Sequence, residues 1–191
     1  DVDKVLELTG DPYVFERRLY LLSCVGHLTD YGRCLLEYFP EDMLVKNWEA
    51  RNARFYVAYA NSKELPHYAS QVAAPLVSEI IKRVDAALEE DSCIAADLCF
   101  GHDVTLMPLI SHMGIEGMHE KLSFDEVNGR WSSSDFICMG SNIQFVFYRN
   151  KAGDVLVKIL YNEKETSIPG LKSRYGNYYS WPELKSHLNR R

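Results

Sequence analysis

The run Cys93-Ile94-Ala95-Ala96-Asp97-Leu98-Cys99-Phe100, followed at once by Gly101-His102-Asp103, constrains this chain more than any other stretch. Eight nearly unbroken apolar residues read as a strand buried on both faces, as in a sheet covered by helices. Gly101 ends that strand. The apolar periodicity of Val104-Thr105-Leu106-Met107-Pro108-Leu109-Ile110 then predicts a helix over 103–113, closed by Gly114. His102 and Asp103 fall at its first turn, where free N–H groups and the positive end of the helix dipole favour an anion. A histidine beside a carboxylate at that position makes a candidate anion site containing an acid.

The rest of the chain divides into two regimes. The first ninety residues read as helical. Val14, Leu19, Leu22, Val25 and Leu28 are helically spaced, with Leu35, Leu36 and Phe39 following an interruption near Gly26 and Gly32. Pro40-Glu41-Asp42 opens a second helix, which fades at Asn61-Ser62. Pro66 opens a third, where Leu76, Ile80, Val84 and Leu88 recur every four residues, and Glu89-Glu90-Asp91 marks its exit. Residues 115–140 read as loop. The segments 142–149 and 154–161 alternate as a hairpin across Asn150-Lys151-Ala152-Gly153. The tail holds Pro169-Gly170, an aromatic-rich loop and a last short helix from Trp181. About three visible strands make a thin sheet for one with a doubly buried member, so strands are expected to be missing from it.

Composition narrows the function classes. With 47% hydrophobic and 25% charged residues over 191 positions, the chain is long enough and apolar enough for a sizeable core. A net charge of -6 and the lack of a Lys/Arg cluster argue against a nucleic-acid partner. No apolar run approaches the roughly 18 residues a membrane span needs. The chain begins at Asp1 without a signal peptide or Met, and is expected to be processed, trimmed or cut from a longer product.

The cysteines Cys24, Cys34, Cys93, Cys99 and Cys138 form no CxxC pair and no zinc-finger spacing. Cys93 and Cys99 read as small buried hydrophobes. Cys24 and Cys34 pair only if the segment between them bends, and the disulfide pattern stays open. His27, His67, His112, His119 and His187 read as surface or structural residues. Trp48, Tyr56 and Tyr59 read as packing, and the acidic runs Glu89-Glu90-Asp91 and Asp125-Glu126 as solvated. Lys46, Arg51 and Arg54 are candidates to reach a phosphorylated ligand.

The stretch from Ala96 through Gly101-His102-Asp103 to Leu109 resembles the second signature of the histidine acid phosphatases, which include phytases, glucose-1-phosphatases and multiple inositol polyphosphate phosphatases. Gly140-Ser141-Asn142 through Arg149 is similar to the strand that follows it there. Pro40-Glu41-Asp42-Met43-Leu44, with Trp48, Asn52 and Tyr56-Val57-Ala58-Tyr59, resembles a helix of the family's inserted α-domain, and Tyr178 to Lys185 is similar to the tail of bacterial members.

This resemblance implies an α/β fold: part of a phosphoglycerate-mutase-like three-layer α/β/α domain plus part of a helical insert domain, with the N-terminal strands missing. Residues 1–91 would be the helical subdomain and connecting helix, and residues 92–191 the C-terminal part of the phosphatase domain. The family's nucleophilic histidine lies in an Arg-His-Gly motif that this chain lacks, so the missing N-terminal segment of the same protein is an implied partner. Asp103 is implied as the proton donor, His102 as the phosphoryl ligand and the Val104 backbone N–H as a substrate contact. The reaction needs neither metal nor cofactor, and the chain alone is expected to be inactive. A periplasmic or secreted setting follows from the resemblance only.

Two departures leave the substrate open. The inositol polyphosphate branch usually carries His-Ala-Glu where this chain has His102-Asp103, and many phytases place Thr where it has Val104. The helical segment is nevertheless closer to the inositol polyphosphate branch. Two other classes compete. A metal-dependent His-Asp phosphohydrolase sets its pair in an all-helical domain, unlike a pair that follows a strand. The other is a catalytically incomplete module that binds a phosphoester or a partner chain.

Overall fold

A computed structural model describes residues 1–30 and 35–190. The chain forms two compact units, Asp1–Arg51 and Asn52–Arg191. In the first, α1 (Val2–Thr9) and α2 (Pro12–Val25) are each started by an aspartate. The Asp1 carboxylate accepts from the Asp3 amide, and Asp11 accepts from Tyr13 and Val14, with Pro12 at the first helical position. Single 3₁₀ turns follow at Gly26–Leu28 and Leu36–Tyr38. The expected break near Gly26 is therefore present, whereas the one near Gly32 and the Cys24–Cys34 pairing fall outside the described residues. Tyr20 and Phe39 are buried and meet edge to face at 6.2 Å, with the Arg51 guanidinium over the Tyr20 ring.

Helix α3 (Glu41–Tyr59) begins in the first unit and ends in the second. The second unit continues with α4 (Tyr68–Ala87), α5 (Asp103–Met113) and the short helices α6 (Phe124–Val127) and α7 (Ser133–Phe136). Then come β1 (Ile143–Arg149), β2 (Val155–Tyr161), β3 (Lys164–Glu165), β4 (Tyr178–Ser180) and α8 (Trp181–Arg190). The 3.6-residue period places Ala69, Ala73, Val77 and Ile81 on one buried face of α4, which packs on α5.

Strand β2 is the centre of the sheet. One edge pairs antiparallel with β1 from Ile143↔Tyr161 to Arg149↔Val155, and the other pairs with β4 and β3. Val157 and Ile159 point into the core with Met107, Ile110, Met113, Ile115, Met118 and Leu184. The hairpin turn is fixed by Asn150, whose Oδ1 accepts from the amides of Ala152 and Asp154. Strands β3 and β4, of two and three residues, are additional to the expected hairpin.

The segment 115–140, expected as loop, is clamped to the end of α3. Buried Asn52 donates to Asn128 Oδ1 and the Trp131 carbonyl, and its Oδ1 accepts from the Ser133 amide. The Tyr56 hydroxyl donates to the Glu120 carbonyl at 2.8 Å, and burial pushes that phenol up to about 12. Asn61 Nδ2 donates to the carbonyls of Ser111 and Met118. Asp125 is exposed as expected. Glu126 instead closes a capping box with Ser123 and pairs with Lys63 at 2.6 Å.

The two buried tryptophans flank the core. Trp131 packs against Tyr56 and Phe136 with its N–H on Met118 Sδ, while Trp181 donates to Asp85 and meets Phe147 edge to face.

Two expectations are corrected. Residues 93–100 are not a buried strand: among the described residues no other strand pairs with them, and Leu98 and Phe100 are 75% and 96% exposed. Apolar content makes a segment suited to burial, but a strand exists only where a neighbour takes its N–H and C=O groups. For the same reason Cys93 and Cys99 are exposed, not buried. The compact units part at Arg51 and Asn52, so α4 shares a core with α5 and the sheet. The division expected at residue 91 falls inside the second compact unit.

Candidate active site

The candidate site is the N-terminus of α5. His102 caps the helix in an extended conformation (φ -114°, ψ 165°), and its carbonyl accepts from the amides of Thr105 and Leu106 at 2.9 and 3.0 Å. Its imidazole makes no capping bond and is available to a ligand. Asp103 is the first helical residue, and its Oδ1 accepts from the Val104 amide at 2.8 Å. The three residues singled out from sequence thus share one exposed turn. The Val104 N–H, expected to face substrate, is engaged by the neighbouring carboxylate, so a bound anion would compete with Asp103 for it.

Behind this turn α5 is anchored firmly. Every residue from Met107 to Met113 is buried, and Gly114, at φ 69°, closes the helix by donating to the Ile110 and Ser111 carbonyls. His112 Nε2 lies 2.8 Å from the Leu188 carbonyl, and His187 Nε2 lies 2.9 Å from the Met113 carbonyl. Both histidines therefore tie α8 to α5, the structural role expected of them. Pro108 has no N–H, so the Val104 carbonyl lacks its i+4 helical donor.

On the N-terminal side of the turn, Arg83 of α4 reaches over the segment 97–99. Its Nη1 lies 3.2 and 3.3 Å from the two Asp97 carboxylate oxygens and 3.8 Å from Cys99 Sγ, while its Nε donates to Glu79 at 2.8 Å. The Arg83 bond holds the Glu79 carboxyl below its usual range, and Glu79 and then Asp97 hold the guanidinium above its own. Sequence reasoning missed Arg83, because Glu79 and Arg83 at i,i+4 read as an ordinary helix-surface pair.

Of the other candidates, Lys46 is paired with Asp42 at 3.0 Å and Arg51 lies over Tyr20, both within the first unit. Arg54 is exposed. Among the described residues no group of three or more His, Cys, Asp or Glu side chains is placed to hold a metal ion, and no helix is long and apolar enough to cross a membrane. The turn therefore offers a hydrogen-bonding imidazole and an adjacent carboxyl, a pair suited to holding an oxyanion and moving a proton at one of its oxygens.

Residues 22–162 match the family model described as the histidine phosphatase superfamily (branch 2). Among solved structures, the chain is similar to the Bifidobacterium longum multiple inositol polyphosphate phosphatase, determined in complex with phosphate. The TM-score is 0.74 at 22% identity, covering 90% of this chain and 39% of that one. The chain thus spans about two fifths of that protein's length, and the likeness shows a shared α/β fold. No curated protein matches the chain.

Proposed function

The chain belongs to branch 2 of the histidine phosphatase superfamily, and on that premise we propose that it takes part in hydrolysing phosphate monoesters, with Asp103 as proton donor and His102 as phosphoryl ligand. The observation carrying this reading is the position of His102-Asp103: inside the family match, on the exposed first turn of a helix whose remainder is buried.

In the first step a histidine nitrogen bonds to phosphorus as the ester P–O bond breaks, and the Asp103 proton passes to the leaving alkoxide, releasing an alcohol. In the second, the Asp103 carboxylate takes a proton from water. The water oxygen bonds to phosphorus, the N–P bond breaks and inorganic phosphate leaves. His102 donates a hydrogen bond to a phosphoryl oxygen through both steps and stabilises the charge that develops there. No metal or cofactor enters this scheme.

The nucleophile comes from outside residues 1–191, which hold no Arg-His-Gly. The exposed apolar run 93–100, whose backbone no strand among the described residues pairs with, supports further strands of the same protein as the missing partner. Inositol phosphates are the substrate class favoured by the likeness to the Bifidobacterium longum phosphatase and by the helical segment. A periplasmic or secreted setting belongs to the same reading. The absent nucleophile motif favours one other reading, a module that binds phosphoesters without turning them over.

The test is Asp103→Asn in the full-length gene product, assayed with an alkyl phosphate and with p-nitrophenyl phosphate. Alkyl phosphate turnover falls about 10²–10⁴-fold, and the p-nitrophenyl ester loses far less because its leaving group needs little protonation. Equal losses overturn the acid role. Turnover by residues 1–191 alone overturns the incomplete site.

A further inference from the structure

We propose that Arg83 is a positioning residue, whose tether to Asp97 sets where the chain enters the His102-Asp103 turn; the catalytic half of this inference rests on the function proposed above.

Between Leu88, the C-cap of α4, and His102, the N-cap of α5, the chain runs through 13 residues, 89–101. Among the described residues, no backbone hydrogen bond joins 94–101 to another element, and the side-chain bonds that reach this stretch from another element all come from Arg83. Its Asp97 and Cys99 contacts shorten the free approach to His102 to Phe100 and Gly101. Pro108 makes that restraint matter, because it leaves the Val104 carbonyl without its i+4 helical donor and the first turn of α5 with fewer bonds than an ordinary one.

The pair is a weak stabiliser. Arg83 and Asp97 are 47% and 41% exposed, and one nitrogen is shared between both carboxylate oxygens. Its effect is therefore on geometry more than on stability. Glu79 holds the guanidinium from the other side, fixing the direction in which Nη1 points. Acid catalysis is sensitive to such placement, since shifts near 1 Å cost up to about 100-fold.

Two measurements test this. In residues 1–191, ¹⁵N relaxation is recorded for the native chain, Arg83→Met and Asp97→Asn. Order parameters at 97–103 are expected to fall in both variants while those of β1 and β2 stay unchanged, and Arg83→Lys is expected to restore part of the loss. Unchanged order at 97–103 in both variants overturns the tether.

In the full-length gene product, Arg83→Met is expected to lower kcat for the alkyl phosphate about tenfold, with a smaller loss for p-nitrophenyl phosphate. Equal losses overturn the positioning role. If Asp103→Asn itself shows no such split, the proposed function fails, and the relaxation experiment still decides whether Arg83 holds the segment.

Discussion

At its C-terminal end α5 buries every residue from Met107 to Met113 and is tied to α8 through His112 and His187, whereas Gly101 to Val104 at its other end stand in solvent, behind a segment that Arg83 holds. The same helix is a core element over two turns and a presented surface over one. The difference shows how a fold can present the proposed acid and its neighbouring histidine without enclosing them: precision comes from the packed end, and access from the bare one. It also locates the unmet demand of the molecule, because the bare end continues into an apolar segment that no strand among the described residues pairs with.

The sharpest way to break this comparison is to truncate one side chain at each end. Ile110→Ala in residues 1–191 is expected to cost about 2–5 kcal/mol, measured as a lower urea midpoint, because Ile110 is fully buried. Phe100→Ala is expected to stay within about 0.5 kcal/mol of the native chain, since its ring is 96% exposed. Similar costs at both positions would mean that Phe100 is covered in solution.

A smaller effect tests the clamp on the segment that follows α5. Asn52→Ala strips the Ser133 amide of its acceptor and the Trp131 carbonyl of a donor, and is expected to cost about 1–3 kcal/mol in the same assay. A negligible cost would mean that the clamp on 115–140 does not stabilise the fold.

The smallest effect is electrostatic. Lys63 and the Ser123 amide hold the Glu126 carboxyl down to about 2, below the roughly 4.3 of an unfolded glutamate. A carboxyl depressed on folding stabilises above its unfolded value and loses that contribution as pH falls through its folded one. Native chain and Glu126→Gln are therefore expected to differ in urea midpoint at pH 6 and to converge as pH falls from about 4.5 towards 2. A gap as wide at pH 2 as at pH 6 would show that the carboxylate charge is not its source.

Much of this is legible in the sequence, for identifiable reasons. The bounds of α4 and α5 and the β1–β2 hairpin are written as periods of 3.6 and 2, which a single sequence displays. His102, Asp103 and Val104 are adjacent in the chain, so their meeting on one turn needs no long-range information. The run 93–100 misleads because apolar residues specify a need for cover and not the presence of a neighbour. Strands β3 and β4 are too short to show alternation. Asn52 meets its partners across 76 to 81 residues and Asp97 meets Arg83 across 14, and no local pattern encodes either pairing.

The tryptophans give the protein a use for its own light. Trp131 emits from the wall where α3 clamps 115–140, beside a thioether, and Trp181 from the wall where α8 meets α4, beside a carboxylate. They are two of the chain's three tryptophans, so with Trp48 replaced by Phe a change at the clamp and a change at the α8 seam would alter the emission spectrum in distinguishable ways, without any added dye.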